Sequence, residues 1–236
     1  GQWGGEIERL YGEQPRNPVI RALLGPVEDF GLHKEDFRAI IDGMEMDADD
    51  RVRIKDMDEL SLYCERVACA VGRLCVCVFG LDDDKGKELA FTLGQALQLT
   101  NILRDIPEDA ERNRLYIPED LLRSYEVVSE NLPSVLNHPA FPKVCDTLAC
   151  VAERRFQQAK TAIAQCDSEK IRPAIIDISR ISSTTHTSMI PLVILQLVGG
   201  RPWIKNIAIP ATLTQTRLTV NRNSALAPAS GMPAPV

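Results

Sequence analysis

The stretch "LQLTNILRDIPEDAERNRLYIP", residues 97–118, decides how this chain is read. Leu97, Leu99, Ile102, Leu103 and Ile106 recur at helical spacing, yet Gln98, Asn101, Asp105 and Asp109 interrupt them at intervals of three, four and four. At about 100° per residue, the four polar residues fall within an arc of roughly 80°, in a stripe about 16 Å long. Carboxylates four apart usually mark a solvated helix face. Here the flanking Ala96, Leu97, Leu99 and Ile102 leave little exposed surface. An apolar helix with one inward polar stripe suits a bundle whose interior holds a polar ligand.

The residue types suggest which ligand. Aspartates at i and i+4 can share a hard cation, and Mg²⁺ commonly binds through one or two carboxylates plus substrate phosphate oxygens. Asn101 can add a neutral oxygen, while Gln98 and Arg104 can bond phosphate. Arg112 and Arg114 follow closely and could hold a leaving diphosphate. The implied chemistry is metal-assisted departure of diphosphate, with the cation left behind kept in a dry cavity beside aromatic faces. Pro107 falls between the two aspartates, lacks a donor and would clash with the Leu103 carbonyl, so the helix should kink or restart there.

Outward from this stretch the chain reads as all-α. Aromatic residues make up 5% of the sequence, and apolar residues repeat at three and four over long segments. Helices are expected over Gly1 to Tyr11, from Asn17-Pro18 to a glycine cap at Phe30-Gly31, and over Lys34 to Met46. Asp56 should open a long one, "DMDELSLYCERVACAVGRLCVCVFG", that stops at Gly80, and Asp84 to Asp105 another. Tyr116-Ile117-Pro118 should start a short helix with proline in first position. Phe141 to Cys166 and Ser168 to about Ile181 complete the set, with no convincing strand alternation. Asp82, Asp83 and Asp84 read as a capping turn. A domain is expected over residues 1–181, followed by a divergent, partly disordered tail over 182–236 rich in Thr, Pro and Asn.

A chain of 236 residues can bury one sizeable core. A net charge of −6 and a pI of 5.2 give no field that would draw in nucleic acid. No charged n-region with an apolar h-region opens the sequence, so a cytoplasmic setting with reduced thiols is expected. Cys64, Cys69, Cys75 and Cys77 lie in an apolar run without paired CxxC spacing, which favours packing over a zinc site.

The segment "QLTNILRDIPEDAERNRLYIP" resembles the second aspartate-rich motif of the squalene and phytoene synthases, the head-to-head prenyl transferases. "IDGMEMD" (residues 41–47) and "LYCERVACAVG" (residues 62–72) match two further segments of that family, in the same order. The resemblance covers roughly residues 3–180. Within the family, "DGMEMD" together with Cys69, where many members have Gly, is similar to the bacterial presqualene diphosphate synthases of hopanoid pathways. The resemblance implies an isoprenoid-synthase helical bundle around a central cavity. It also implies Mg²⁺ as cofactor and condensation of two farnesyl diphosphates with release of diphosphate. Asp105 and Asp109 become metal carboxylates, Asn101 a further metal ligand, and Gln98, Arg104, Arg112 and Arg114 substrate contacts. Tyr63 matches a tyrosine placed near the reacting carbons, and joins Asp105 and Asp109 as a catalytic candidate. Asp42 and Asp47 are weighted slightly toward structural roles. A lipid product implies peripheral association with a membrane.

One family element is missing from the sequence. The earlier DxxxD motif, on a helix facing the second motif, does not occur before Trp3, and "DADD" at residues 47–50 stands in the wrong order to replace it. The chain is expected to begin just downstream of that motif. Three readings follow: a presqualene diphosphate synthase, a phytoene or squalene synthase, or a non-catalytic relative or inactive fragment that keeps the fold for binding or assembly.

Overall fold

In the computed structural model the described residues are 2–81 and 83–166. They are almost entirely helical, as the apolar spacing predicts. The expected helix from Ser168, the tail from Ser182 and the boundary at 181/182 lie outside the described residues, as does Asp82.

Helix α1 (Gln2–Gly12) is followed by α2 (Pro18–Arg21), α3 (Leu24–Phe30) and α4 (Lys34–Met46). Asn17 caps α2 by accepting the Val19 N–H at 2.8 Å, and Gly31, at φ 61°, closes α3 on the Val27 carbonyl. The single helix expected between these caps is two. Pro26 has no N–H for the Ala22 carbonyl and its ring crowds that carbonyl, so α2 ends and α3 begins anew.

The long helix expected from Asp56 to Gly80 is continuous in direction but not in type. Asp56 caps α5 (Met57–Cys64) through the Glu59 N–H at 2.9 Å. A π-helical turn, Glu65–Cys69, then joins it to α6 (Ala70–Val78), and the Ala70 N–H reaches the Glu65 carbonyl five residues back. Helix α7 (Asp84–Arg104) starts from Asp83, whose carboxylate accepts the Gly86 N–H at 2.7 Å. The acidic turn is thus a cap at Asp83, with Asp84 in the first helical turn.

Beyond α7 come α8 (Ile106–Glu111), α9 (Glu119–Ser124), α10 (Leu132–Leu136) and α11 (Phe141–Gln165). Pro118 does not take the first position of α9. It sits before it as the capping residue at φ −59° and ψ 135°, because the Glu119 and Asp120 N–H groups bond the Ile54 and Lys55 carbonyls. Those bonds continue a feature absent from the sequence expectation, a parallel pair of two-residue strands. Val52 of β1 (Val52–Arg53) pairs with Arg114 of β2 (Arg114–Leu115), and Arg53 with Leu115.

The main core lies where α5, α7, β2 and α11 meet, with Ile54, Leu60, Leu99, Ile117, Val144 and Leu148 almost fully buried. Burying a large aliphatic side chain is worth about 1.5–3 kcal/mol. Cys64, Cys69 and Cys77 are buried as small apolar residues, and burial pushes the Cys64 thiol up to about 12. Close approach of α7 to the π turn depends on Gly94: a Cβ there would stand 2.9 Å from the Cys69 Cα, N and Sγ.

Candidate active site

The polar stripe occupies the last turns of α7 and the restart that follows. Gln98 and Asn101 are half-buried, and the Asn101 Nδ2 donates a long bond of 3.5 Å to the Gln98 Oε1. The Asn101 Oδ1 is buried and has no hydrogen-bond partner. Leaving such an acceptor unpaired costs about 1–3 kcal/mol, so the position is unfavourable without a ligand.

Asp105 ends α7 at φ −96° and ψ 10°, its N–H still bonded to the Asn101 carbonyl at 2.9 Å. Pro107 then falls in the first turn of α8, where its missing donor costs nothing. The Asp109 N–H bonds the Asp105 carbonyl at 2.8 Å, so the interruption is a restart that keeps Asp109 one turn beyond Asp105.

Arg104 closes a two-toothed fork on Asp105, Nε to Oδ1 and Nη2 to Oδ2, both at 2.6 Å. Asp109 is half-buried, and its carboxyl is raised above the ordinary range. Burial is the main cause; the charges of Asp105 and Asp47 add to it, and Arg114 and Arg112 oppose it. Arg112 is exposed and Arg114 half-buried. Three carboxylates and two guanidiniums therefore act on one another around Asp109.

Asp47 links this group to Tyr63. It caps the C-terminus of α4, and its carboxylate accepts the Tyr63 hydroxyl at 3.1 Å and the Tyr116 hydroxyl at 2.7 Å. The two rings stack with centroids 4.9 Å apart and planes 23° from parallel. The Arg114 Nη2 donates to the Asp47 backbone carbonyl at 2.8 Å. Arg53 holds the next loop: its Nη1 donates to the Asn113 carbonyl at 2.7 Å and its Nη2 to the Asn113 Oδ1 at 2.9 Å. Asn113 takes a left-handed conformation at φ 58°. Burial first, then the Asp47 charge, pushes the Tyr63 hydroxyl far above its usual range, and burial brings Tyr116 up to about 12.

The structure thus brings Gln98 against Asn101, Arg104 against Asp105, and Asp109 into the field of Asp105, Arg112 and Arg114. Tyr63 belongs to the core and meets the group through Asp47. Asp42 stands apart, its side chain 54% exposed and 4.0 Å from Arg66. Tyr116 escaped the sequence reading, although it lies in the same matched segment. Its only signal was a bulky aromatic just after Arg112 and Arg114. Among the described residues, no three His, Cys, Asp or Glu side chains converge as a ready metal cluster. The hard donors along this stretch are the unbonded Asn101 Oδ1, the Asp109 carboxylate and the Asp105 carboxylate, the last engaged by Arg104. No helix among the described residues is long and apolar enough to cross a membrane.

Comparison with known proteins identifies the fold and the family. The fold is that of squalene-synthase-type isoprenoid synthases. It aligns with a squalene synthase from Alicyclobacillus acidocaldarius at a TM-score of 0.60 and 22% identity, over 83% of this chain and 67% of the other. The squalene/phytoene synthase family model matches residues 1–187, and the chain belongs to that family. The presqualene diphosphate synthase of Sinorhizobium fredii is 46% identical over 170 residues, 72% of this chain and 60% of that protein. That of Rhodopseudomonas palustris is 48% identical over 158 residues, 67% of this chain and 56% of the other. The 15-cis-phytoene synthase of Synechocystis is 34% identical over 173 residues, 68% of this chain and 51% of the other. The chain spans little more than half the length of these relatives.

Proposed function

We propose that this chain carries the second metal-and-diphosphate half of a prenyl transferase that condenses two farnesyl diphosphates head to head into presqualene diphosphate, in hopanoid or squalene biosynthesis. The observation that carries the reading is the buried, unbonded Asn101 oxygen, followed at four-residue spacing by Asp105 and Asp109. An all-oxygen set of this kind suits Mg²⁺, which prefers hard ligands and retains waters for substrate phosphate to replace. Asn101, Asp105 and Asp109 would hold it. When bound, Mg²⁺ neutralises charge on the departing diphosphate.

The chain's own side chains do the rest. Arg112 and Arg114 face the diphosphate, and Gln98 adds an amide. Arg104 exchanges its fork from the Asp105 carboxylate to phosphate, since a guanidinium matches both. Tyr63, held by Asp47, presents its ring and oxygen to the carbocation that diphosphate departure leaves. A product with two long prenyl chains fits a cytoplasmic protein lying peripherally at a membrane.

Identities of 46% and 48% to presqualene diphosphate synthases against 34% to a phytoene synthase support the farnesyl product over the phytoene one. The test is incubation of the chain, alone and extended upstream with a DxxxD-bearing segment, with farnesyl diphosphate and Mg²⁺. Presqualene diphosphate is the expected product of the extended protein by mass spectrometry, abolished by chelation. Absence of any condensed product from the extended protein, with substrate binding lost, overturns the reading in favour of a non-catalytic relative.

A further inference from the structure

Asp47 stands where a carboxylate is unfavourable. It closes the C-terminus of α4, where the helix dipole already concentrates negative charge. The nearby guanidinium of Arg114 bonds its backbone carbonyl, while its carboxylate takes the two phenolic hydroxyls. Each carboxylate oxygen accepts one of them, Oδ2 from Tyr63 and Oδ1 from Tyr116. A phenol has a single proton to donate and can still accept through its oxygen. Once that proton is committed to Asp47, the oxygen of Tyr63 remains as an acceptor. Stacking on Tyr116 then fixes the plane in which it faces.

We propose that Asp47 is a positioning residue for the prenyl transfer: by accepting the hydrogen bond of the Tyr63 hydroxyl it orients that neutral phenol as an electron-rich acceptor toward the substrate carbocation. Tyr116, bonded to the other carboxylate oxygen, keeps Asp47 from rotating away. The raised ionisation of Tyr63 agrees with this, because a phenol that stays neutral offers a dipole and no charge. The arrangement also opposes Tyr63 donating a proton to the substrate, since that proton is already spent. This inference rests on the prenyl-diphosphate reading above.

The test is a double-mutant cycle read by binding, with turnover not required. The probes are farnesyl thiodiphosphate, which is uncharged at the carbon skeleton, and an ammonium analogue of farnesyl diphosphate that carries the positive charge of the cation. Asp47→Asn keeps shape, but its amide must donate where the carboxylate accepted, so one phenol is forced to turn. Asp47→Asn and Tyr63→Phe are each expected to weaken the ammonium analogue about tenfold and the thiodiphosphate by less than about twofold. In the double variant the loss should equal that of Tyr63→Phe alone, because Asp47 acts through that hydroxyl. Additive losses, or equal losses for both probes, overturn the proposal. If Asp47→Asn does not fold, Asp47→Glu replaces it in the same cycle with the same expected non-additivity. Failure of the parent protein to bind the thiodiphosphate overturns the prenyl-diphosphate reading and this role together. Binding with an additive cycle overturns only the role.

Discussion

Helix α4 carries an aspartate near each end, and the two are treated in opposite ways. Asp36, in the first turn, is 5% exposed at its side chain and receives the Arg73 Nε at 2.5 Å. The same guanidinium also holds Glu65 of the π turn. There a negative charge sits at the favourable end of a helix and is matched by a cation, so it fastens α4 to its neighbour. Asp47 sits at the unfavourable end, is held by neutral phenols, and adds its field to those of Asp105 and Asp109. The acids at the first end share one cation. At the other end Asp105 is engaged by the Arg104 fork, while the charges of Asp105 and Asp47 still add to the rise of the Asp109 carboxyl.

The two ends are therefore expected to respond to different assays. The largest effect belongs to the repelling group. Asp105→Asn in an active, extended protein should cut farnesyl diphosphate turnover by about 10²–10³-fold or more, an effect of roughly 3–4 kcal/mol or beyond on the departing anion. The urea midpoint should hold or rise. Turnover within tenfold of the parent would break the assignment. Arg73→Met inverts the pattern. It strands the buried Asp36 and the half-buried Glu65, and should cost about 2–4 kcal/mol in urea unfolding, as removal of one partner from a buried ion pair does. Binding of the thiodiphosphate per folded molecule should be unchanged.

Gly94→Ala should fall next, at about 1–3 kcal/mol of stability, because its Cβ meets Cys69 backbone atoms that cannot swing aside. Gly94 packs on Cys69, so binding per folded molecule should hold, and a loss of binding larger than the loss of stability would blur the comparison. The smallest effect is alkaline. Tyr116 holds its proton more tightly when folded, with a value near 12 against about 10 for an ordinary tyrosine. Its contribution is therefore complete below about pH 10 and is lost as pH rises toward 12. The urea midpoint should fall across that window, and less steeply in Tyr116→Phe.

The legible and illegible parts of this molecule differ in the range of the interactions that make them. The stripe of Gln98, Asn101, Asp105 and Asp109 could be read because helical spacing is local, and so could the caps at Asn17, Asp56 and Asp83. The break between α2 and α3 was also within reach, since Pro26 states it. The strand pair was not: two residues per strand show no alternation, and Val52 and Arg114 are joined only by the fold. Nor was the use of Asp47. Its partners lie 16 and 69 residues away, and nothing local distinguishes an aspartate awaiting two phenols from one that ends a helix. The π turn is invisible for the same reason, because its residues are ordinary helix formers and its bonding is set by what packs beside it.

That turn has a consequence for how the chain tolerates change in length. A turn closed by bonds to the fifth residue holds one residue more than its neighbours, so the helix on one side is rotated by about 100° from where an unbroken helix would put it. Tyr63 lies just before the turn, Cys69, on which Gly94 packs, ends it, and Arg73 lies after it. Deleting one residue of the turn would let the segment relax to an ordinary helix. Yet the tyrosine would swing off Asp47 while everything downstream stayed in register. The extra residue works as a phase setting that brings the Tyr63 hydroxyl onto the Asp47 carboxylate.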